Sequence, residues 1–415
     1  MEARFGFIPV ASVLVEGPEA LDHIIGEYAV ALTGIGGTLT NVDDIGQDLP
    51  VFYLLATGGT ESKTLELVER RQKAVPGEPV FILAHPGNNS LPAALEVLAK
   101  LHQDGLKGRI IYLNAADDAV ALAAIHSAAI DLGVRRTLHA AKVGLVGAPS
   151  DWLVASMPSG KVVNEVWGPE VYPINLGDLV GRIANVTDEA AGAAADALVG
   201  AATGCVEPTR EDLLDVARVS QALKQLVVDR RLNALTVRCF DLVLSMKTTG
   251  CFALAELTDA GVIAGCEGDI VTTVGLMWAR LMTGTTPWMA NPAQLDEAAN
   301  ALWLAHCTVP RSMVESYRLR SHFESGLGVG IQGVLPNSPV TLVRIGGTRM
   351  ERIWIAEGAI VRSGDAENLC RTQAYVELSD GSVSDLLTEP LGNHIVLVPG
   401  HHAARLRSWW ETMIG

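Results

Sequence analysis

A chain of 415 residues is too long for one hydrophobic core, so two or three domains are expected. Apolar residues make up 49% and charged residues only 19%, which fits a packed globular protein and excludes a disordered one. The formal net charge of −16, with no basic face along the chain, excludes a nucleic-acid binder and argues against an anionic membrane surface.

Met1-Glu2-Ala3-Arg4 leads directly into an apolar run, with no basic flank, long apolar core or cleavage site, so no export signal is expected. The Ala/Gly-rich stretch 190–204 is too short and too weakly apolar to span a bilayer. The six cysteines form no CxxC pair, so reduced thiols in a cytoplasmic protein are the expectation.

The first 160 residues alternate in texture. Strands are predicted at Phe5–Val13, Tyr28–Leu32, Val51–Ala56, Val80–Ala84, Arg109–Leu113 and Lys142–Val146. Helical patterns at Glu61–Ala74, Leu91–Gln103 and Ala116–Leu132 lie between them. This alternation predicts an α/β domain with a parallel sheet, whose ligands sit at the carboxyl ends of the strands. Three loops there are rich in Gly, Pro, Asn and hydroxyl residues: 57–60, 85–90 and 147–152, the last ending in Trp152.

A second α/β unit is expected from 161 to 288, with helices Thr187–Ala202 and Arg210–Asn233 and strands Ala234–Cys239, Cys251–Leu257 and Gly261–Gly265. After Pro287, short segments at Val340–Ile345, Arg352–Ala356, Gln373–Glu377 and Ile395–Val398 are broken by turn residues, which predicts a mostly antiparallel β domain over 289–415. The fold class is therefore α/β: two parallel-sheet, Rossmann-like domains followed by a β-rich one. A last helix, Ala403–Met413, carries Trp409 and Trp410 and reads as an interface or a core anchor.

Gly328-Val329-Gly330-Ile331-Gln332-Gly333 matches a dinucleotide fingerprint, but the two prolines in 334–339 forbid the helix that the motif requires. The informative segment starts at Gly261. An apolar strand ends at Cys266-Glu267-Gly268-Asp269 and a long helix, Ile270–Met282, follows. Glu267 thus stands at a strand's carboxyl end, where α/β enzymes place catalytic groups, or is a solvated turn acid. Asp269 stands where a helix cap is wanted and is a cap, a functional carboxylate, or both. Three histidines stand out, at His306, His322 and His394. No HxxxH pair marks a metal site, so any site must be assembled from distant segments.

Cys266-Glu267-Gly268-Asp269 and Pro287-Trp288-Met289-Ala290-Asn291 resemble segments of the L-fucose isomerases. His322-Phe323-Glu324-Ser325-Gly326 with Pro339–Arg344 resembles the histidine region of the L-arabinose isomerases, and Gly392-Asn393-His394 resembles the closing metal histidine of both. The resemblance implies a sugar ketol-isomerase that interconverts an aldose and its ketose through an ene-diolate. It also implies a divalent cation, usually Mn2+, held by Glu267, Asn291, His322 and His394. Glu267 is then the base, with Asp269 as its partner, because the family's second carboxylate falls on Asn291. His306, Trp152 and Arg320 are the candidate sugar contacts. The basic strip Arg311, Arg318, Arg320 is either a solvated face or a subsite for an anionic sugar such as sulfoquinovose. A homo-oligomer, hexameric or trimer-based, is implied as well. The alternatives are a non-catalytic sugar-binding protein and an ene-diolate lyase or epimerase.

Overall fold

The computed structural model describes residues 3–41 and 49–415, so Met1 and Glu2 of the leader reading lie outside the described residues. The chain forms two compact units, one running to Thr137 and including Ser408–Gly415, the other Leu138–Arg407. No helix among the described residues is long and apolar enough to cross a membrane.

The first unit holds a sheet of β1 (Phe5–Val10), β2 (Gly37–Leu39), β3 (Val51–Leu55), β4 (Val80–Ala84) and β5 (Gly108–Tyr112). All its pairs are parallel and the order is β2-β1-β3-β4-β5, a doubly wound order. β3 and β4 are buried along their whole length, as strands covered on both faces must be. Tyr28–Leu32 is not a strand. It belongs to the helix Gly17–Gly34, which opens on Pro18 and buries Ile25 and Leu32, two turns apart on one face. Trp409 is a core anchor of this unit: it is fully buried and its indole N–H donates to the carbonyl of Asp131 at 3.1 Å.

The second unit begins with another parallel sheet: β6 (Lys142–Val146), β7 (Glu170–Ile174), β8 (Ala234–Val237) and β9 (Ile263–Cys266), in the order β7-β6-β8-β9. Cys251–Leu257, expected as a strand, lies in the helix Cys251–Asp259. A short apolar run is ambiguous by itself, and here Ala and Leu favour the helix over the strand.

The chain then continues through β10 (Trp288–Asp296), β11 (Ala301–His306), β12 (Ser316–Arg320), β13 (Gly330–Val334), β14 (Pro339–Gly346), β15 (Arg352–Ser363), β16 (Thr372–Asp380) and β17 (Ile395–Pro399). Six of these close an antiparallel barrel in the order β10-β11-β16-β15-β14-β17, while β12 and β13 form a separate hairpin. Alternate residues such as Leu302 and Leu304, Ala374 and Val376, and Ile395 and Leu397 fill its core, the period-2 pattern of a strand with one face inward. The 328–333 glycines lead into β13, with no helix after them. The expected boundaries at 160/161 and 288/289 fall inside the helix Gly160–Trp167 and inside β10. The helix Ile270–Thr283 is buried on nearly all faces and packs on β9 as well as on β14 and β17 of the barrel. Its N-terminus is where the site forms.

Candidate active site

β9 delivers Glu267 in a tight turn. Both Glu267 (φ 64°) and Gly268 (φ 69°) are in the left-handed region, which is rare for a residue that carries a Cβ. Three backbone hydrogen bonds hold the turn: Ser150 N–H to the Glu267 carbonyl at 2.9 Å, Gly268 N–H to Val237 at 3.0 Å, and Asp269 N–H to Cys266 at 3.1 Å. A Cβ on residue 268 would lie 2.4 Å from the Ala148 carbonyl oxygen, so only glycine allows this close approach.

Asp269 is fully buried and caps the helix Ile270–Thr283. It accepts from the Thr272 N–H at 2.8 Å and the Thr272 hydroxyl at 2.7 Å. The same carboxylate meets His394 Nδ1 at 2.8 Å and lies 3.5 Å from the Arg344 guanidinium. Asp269 therefore stands behind His394, in the outer position that fixes the tautomer and orientation of a metal-binding imidazole. It does not line the cavity.

His394 directs Nε2 at Glu267, 3.5 Å from Oε1, and that buried nitrogen has no hydrogen-bond partner. His306, the last residue of β11, has Nδ1 engaged by the Thr308 hydroxyl at 2.9 Å and Nε2 4.0 Å from the same Glu267 oxygen. Donor atoms of Glu267, His306 and His394 all lie within 4.8 Å of one another. Two imidazoles and one carboxylate, with an unpartnered nitrogen aimed inward, fit a divalent first-row cation.

Glu267 and His306 border a cavity of about 430 Å³, a volume in the range of small-molecule sites, and His394 stands next to Glu267 outside its lining. Its wall includes Trp152, Phe240, Asn291, His322, Phe323 and Asn393. The Trp152 indole N–H donates to Glu267 Oε2 at 2.5 Å, and its ring stands edge-on to Phe240 at 4.9 Å between centroids.

The structure regroups the expected residues. His306, expected as a sugar contact, joins Glu267 and His394 as a third donor. His322, expected as a ligand, stays in the wall, with Nδ1 on the Ser325 hydroxyl at 3.2 Å and its ring against Phe240. Asn291 is a strand residue of β10, opposite Ala305, and the register of the strand shifts between Pro292 and Gln294. Its side-chain oxygen accepts from Asn393 at 3.5 Å. Arg320 is a correction: it is paired with Glu207 at 2.6 Å and Glu367 at 3.0 Å and does not line the cavity, so its charge is already balanced. Arg311 is held by Asp259, and Arg318 is exposed on the hairpin. Among the described residues, no Lys or Arg lines this cavity.

The electrostatics follow from burial and from the carboxylates. Burial alone would raise the Glu267 carboxyl, but the neighbouring His394, with His306 and the Trp152 hydrogen bond, holds it below its ordinary value. Burial opposes the charge on Asp269 too, and Arg344 and His394 outweigh it. Burial, helped by the charge of His394, pushes His306 down to about 4. Burial would lower His394 as well, but Asp269 and Glu267 raise it to about 9.

The metal-free protein is therefore expected to be most stable near pH 6.5, the unfolded value of both imidazoles. Below it the unfolded chain binds a proton at residue 306 that the native state refuses down to about 4, so stability falls with falling pH. Above it the native state keeps a proton on His394 up to about 9 that the unfolded chain has released, so stability falls again. Asp269, ionised in the native state, steepens the loss further once pH drops through the ordinary carboxylate range near 3.8. Melting temperature against pH measures this. His306→Asn should flatten the acid limb and His394→Asn the alkaline limb.

Together, the fold and site define an α/β protein with a candidate cation centre at the border between a parallel sheet and an antiparallel barrel. No family model matches the chain. It is similar to the sulfoquinovose isomerase of Alkalicoccus urumqiensis, 24% identical over 215 residues, which cover 50% of this chain and 48% of that protein. It is also similar to that of Clostridium sp. (strain MSTE9), 23% identical over 231 residues, covering 55% of this chain and 52% of that protein. A shorter match of 99 residues, 27% identical, is to the sulfoquinovose isomerase of Priestia aryabhattai. The two longer matches span about half the length of those relatives.

Proposed function

We propose that the protein is a metal-dependent aldose–ketose isomerase acting on a monosaccharide. The observation that carries this reading is the cluster of Glu267, His306 and His394 beside the cavity, with the His394 Nε2 unpartnered. The similarity to sulfoquinovose isomerases supports it. Glu267, His306 and His394 would hold the cation, with Mn2+ the favoured ion and Asn291 a further oxygen donor. When bound, the cation supplies Lewis acidity toward the C1 and C2 oxygens of an open-chain sugar.

The residues supply the rest. Glu267 is ionised at neutral pH, and its Oε2, held by Trp152, is the atom assigned to move the proton between C2 and C1 through an ene-diolate. The Asp269 oxygens are occupied by Thr272, His394 and Arg344, so one carboxylate carries the proton both ways and Asp269 acts by positioning His394. Trp152 and Phe240 form an aromatic wall of the cavity in which the sugar would lie.

Incubation with aldoses and manganese, read by ketose formation, tests the reading. Sulfoquinovose heads the panel because the relatives carry that name. Neutral aldoses form the second arm because the cavity wall shows no Lys or Arg among the described residues. Cation binding with no turnover on any aldose would instead establish a binding protein. Two shorter fragments would establish a lyase, and an epimer an epimerase.

Asn291→Asp places a second carboxylate beside the cation and is expected to tighten manganese binding measured by calorimetry. Equal affinities would take Asn291 out of the ligand set. Exposed apolar side chains on strand-end loops, Val13 and Leu14 in the first unit and Val154 in the second, support a hexamer or trimer-based homo-oligomer. A monomer by light scattering would overturn that part.

A further inference from the structure

Sulfur is concentrated around the cavity. Five of the six cysteines line it: Cys239, Cys251, Cys266, Cys307 and Cys370. Two of them touch. The Sγ of Cys239, the first residue of the helix Cys239–Met246 that follows β8, lies 2.9 Å from the Sγ of Cys266, the last residue of β9. β8 and β9 are neighbours in register, Val237 opposite Cys266, so the sheet itself sets the approach of the two sulfurs. Both thiols are buried from the outside, and both border the open space of the cavity.

We propose that Cys239 and Cys266 are a dithiol that a small oxidant entering through the cavity converts to a disulfide. With hydrogen peroxide, one thiol is first oxidised to a sulfenic acid, which breaks the O–O bond and releases one water. The second sulfur then attacks the first, the S–S bond forms, and the hydroxyl leaves as a second water with the remaining thiol proton. Two thiols and one peroxide thus give one disulfide and two waters, and the two electrons lost by sulfur reduce the peroxide. A low-molecular-weight disulfide does the same by exchange through a mixed disulfide and leaves as two thiols. Closing the contact to a bond of about 2.05 Å takes a shift of the sulfurs of under about 1 Å. The bond ties the residue before Glu267 to the helix beyond β8. Its formation does not rest on the isomerase reading.

The full-length native protein is treated with limiting hydrogen peroxide or oxidised glutathione, blocked by alkylation, and digested without reductant. The expected result is a peptide pair joined at Cys239 and Cys266, abolished by dithiothreitol, with a raised melting temperature for the oxidised protein. Cys239→Ser should remove that pair and the rise in melting temperature together. The same digest of the unmutated protein decides the matter if the variant fails to fold. Full alkylation of both residues after oxidant treatment would overturn the proposal. So would a first cross-link that uses Cys307, another cysteine of the cavity wall.

Discussion

Glu267→Gln is expected to lower ketose formation by at least about 10²-fold, the low end for losing a positioned proton-transfer group. The amide keeps the size of the side chain, and the backbone bonds to Ser150, Val237 and Cys266 do not involve it, so the left-handed turn survives. What is lost is the proposed proton acceptor at Oε2 and one of the two carboxylates that raise His394. A weaker ligand also lowers cation affinity, so turnover is compared at saturating manganese, with affinity measured separately by calorimetry. A variant that retains near-normal turnover at saturation would remove Glu267 from the proton transfer and leave it only as a ligand.

Removing the cation is the second large effect. Treatment with a chelator should take turnover below detection, and manganese should restore it better than zinc, which favours a closed four-coordinate site over one with open positions for two substrate oxygens. Stability gives a readout that needs no substrate. A cation that binds the folded cluster and not the unfolded chain stabilises the fold by mass action. Added manganese should therefore raise the melting temperature, by an amount corresponding to about 2.7 kcal/mol at a hundred times the dissociation constant. Undiminished turnover in a demetallated sample would rule out the metal-dependent reading.

The parts of this architecture legible in the sequence are those that rest on local pattern. The alternation of apolar runs with helical stretches marks β1, β3, β4, β5 and β6, and the turn-broken segments after Pro287 mark barrel strands β14 to β17. Glu267 and Asp269 are visible because a strand, a turn and a helix announce a strand-end site whatever the rest of the chain does. Tyr28–Leu32 and Cys251–Leu257 lie in helices rather than the expected strands, because a short apolar run has the same period-free look in a buried strand and in a buried helix.

The site's grouping was not legible, because partnership is a tertiary fact. His306 becomes a donor only because β11 ends beside Glu267 and Thr308 engages its other nitrogen. Arg320 reads as a free cation until Glu207 and Glu367, both distant along the chain, are seen against it. The cysteines, with no CxxC spacing, carry no local sign that five of them converge.

The order of the barrel strands bears on how the protein is made. β17 pairs with β10 on one side and β14 on the other, so it is the strand that completes the barrel, and His394 immediately precedes it. A ribosome that has released the chain as far as His306 has delivered two of the three donors into a sheet that cannot yet close. On the proposed metal-dependent reading, cation capture would be a late event in biosynthesis, coupled to the zipping of one strand between two waiting edges. In refolding, the onset of manganese binding should coincide with the last phase of β-structure formation, and a protein caught before that step would have its parallel sheets without its metal.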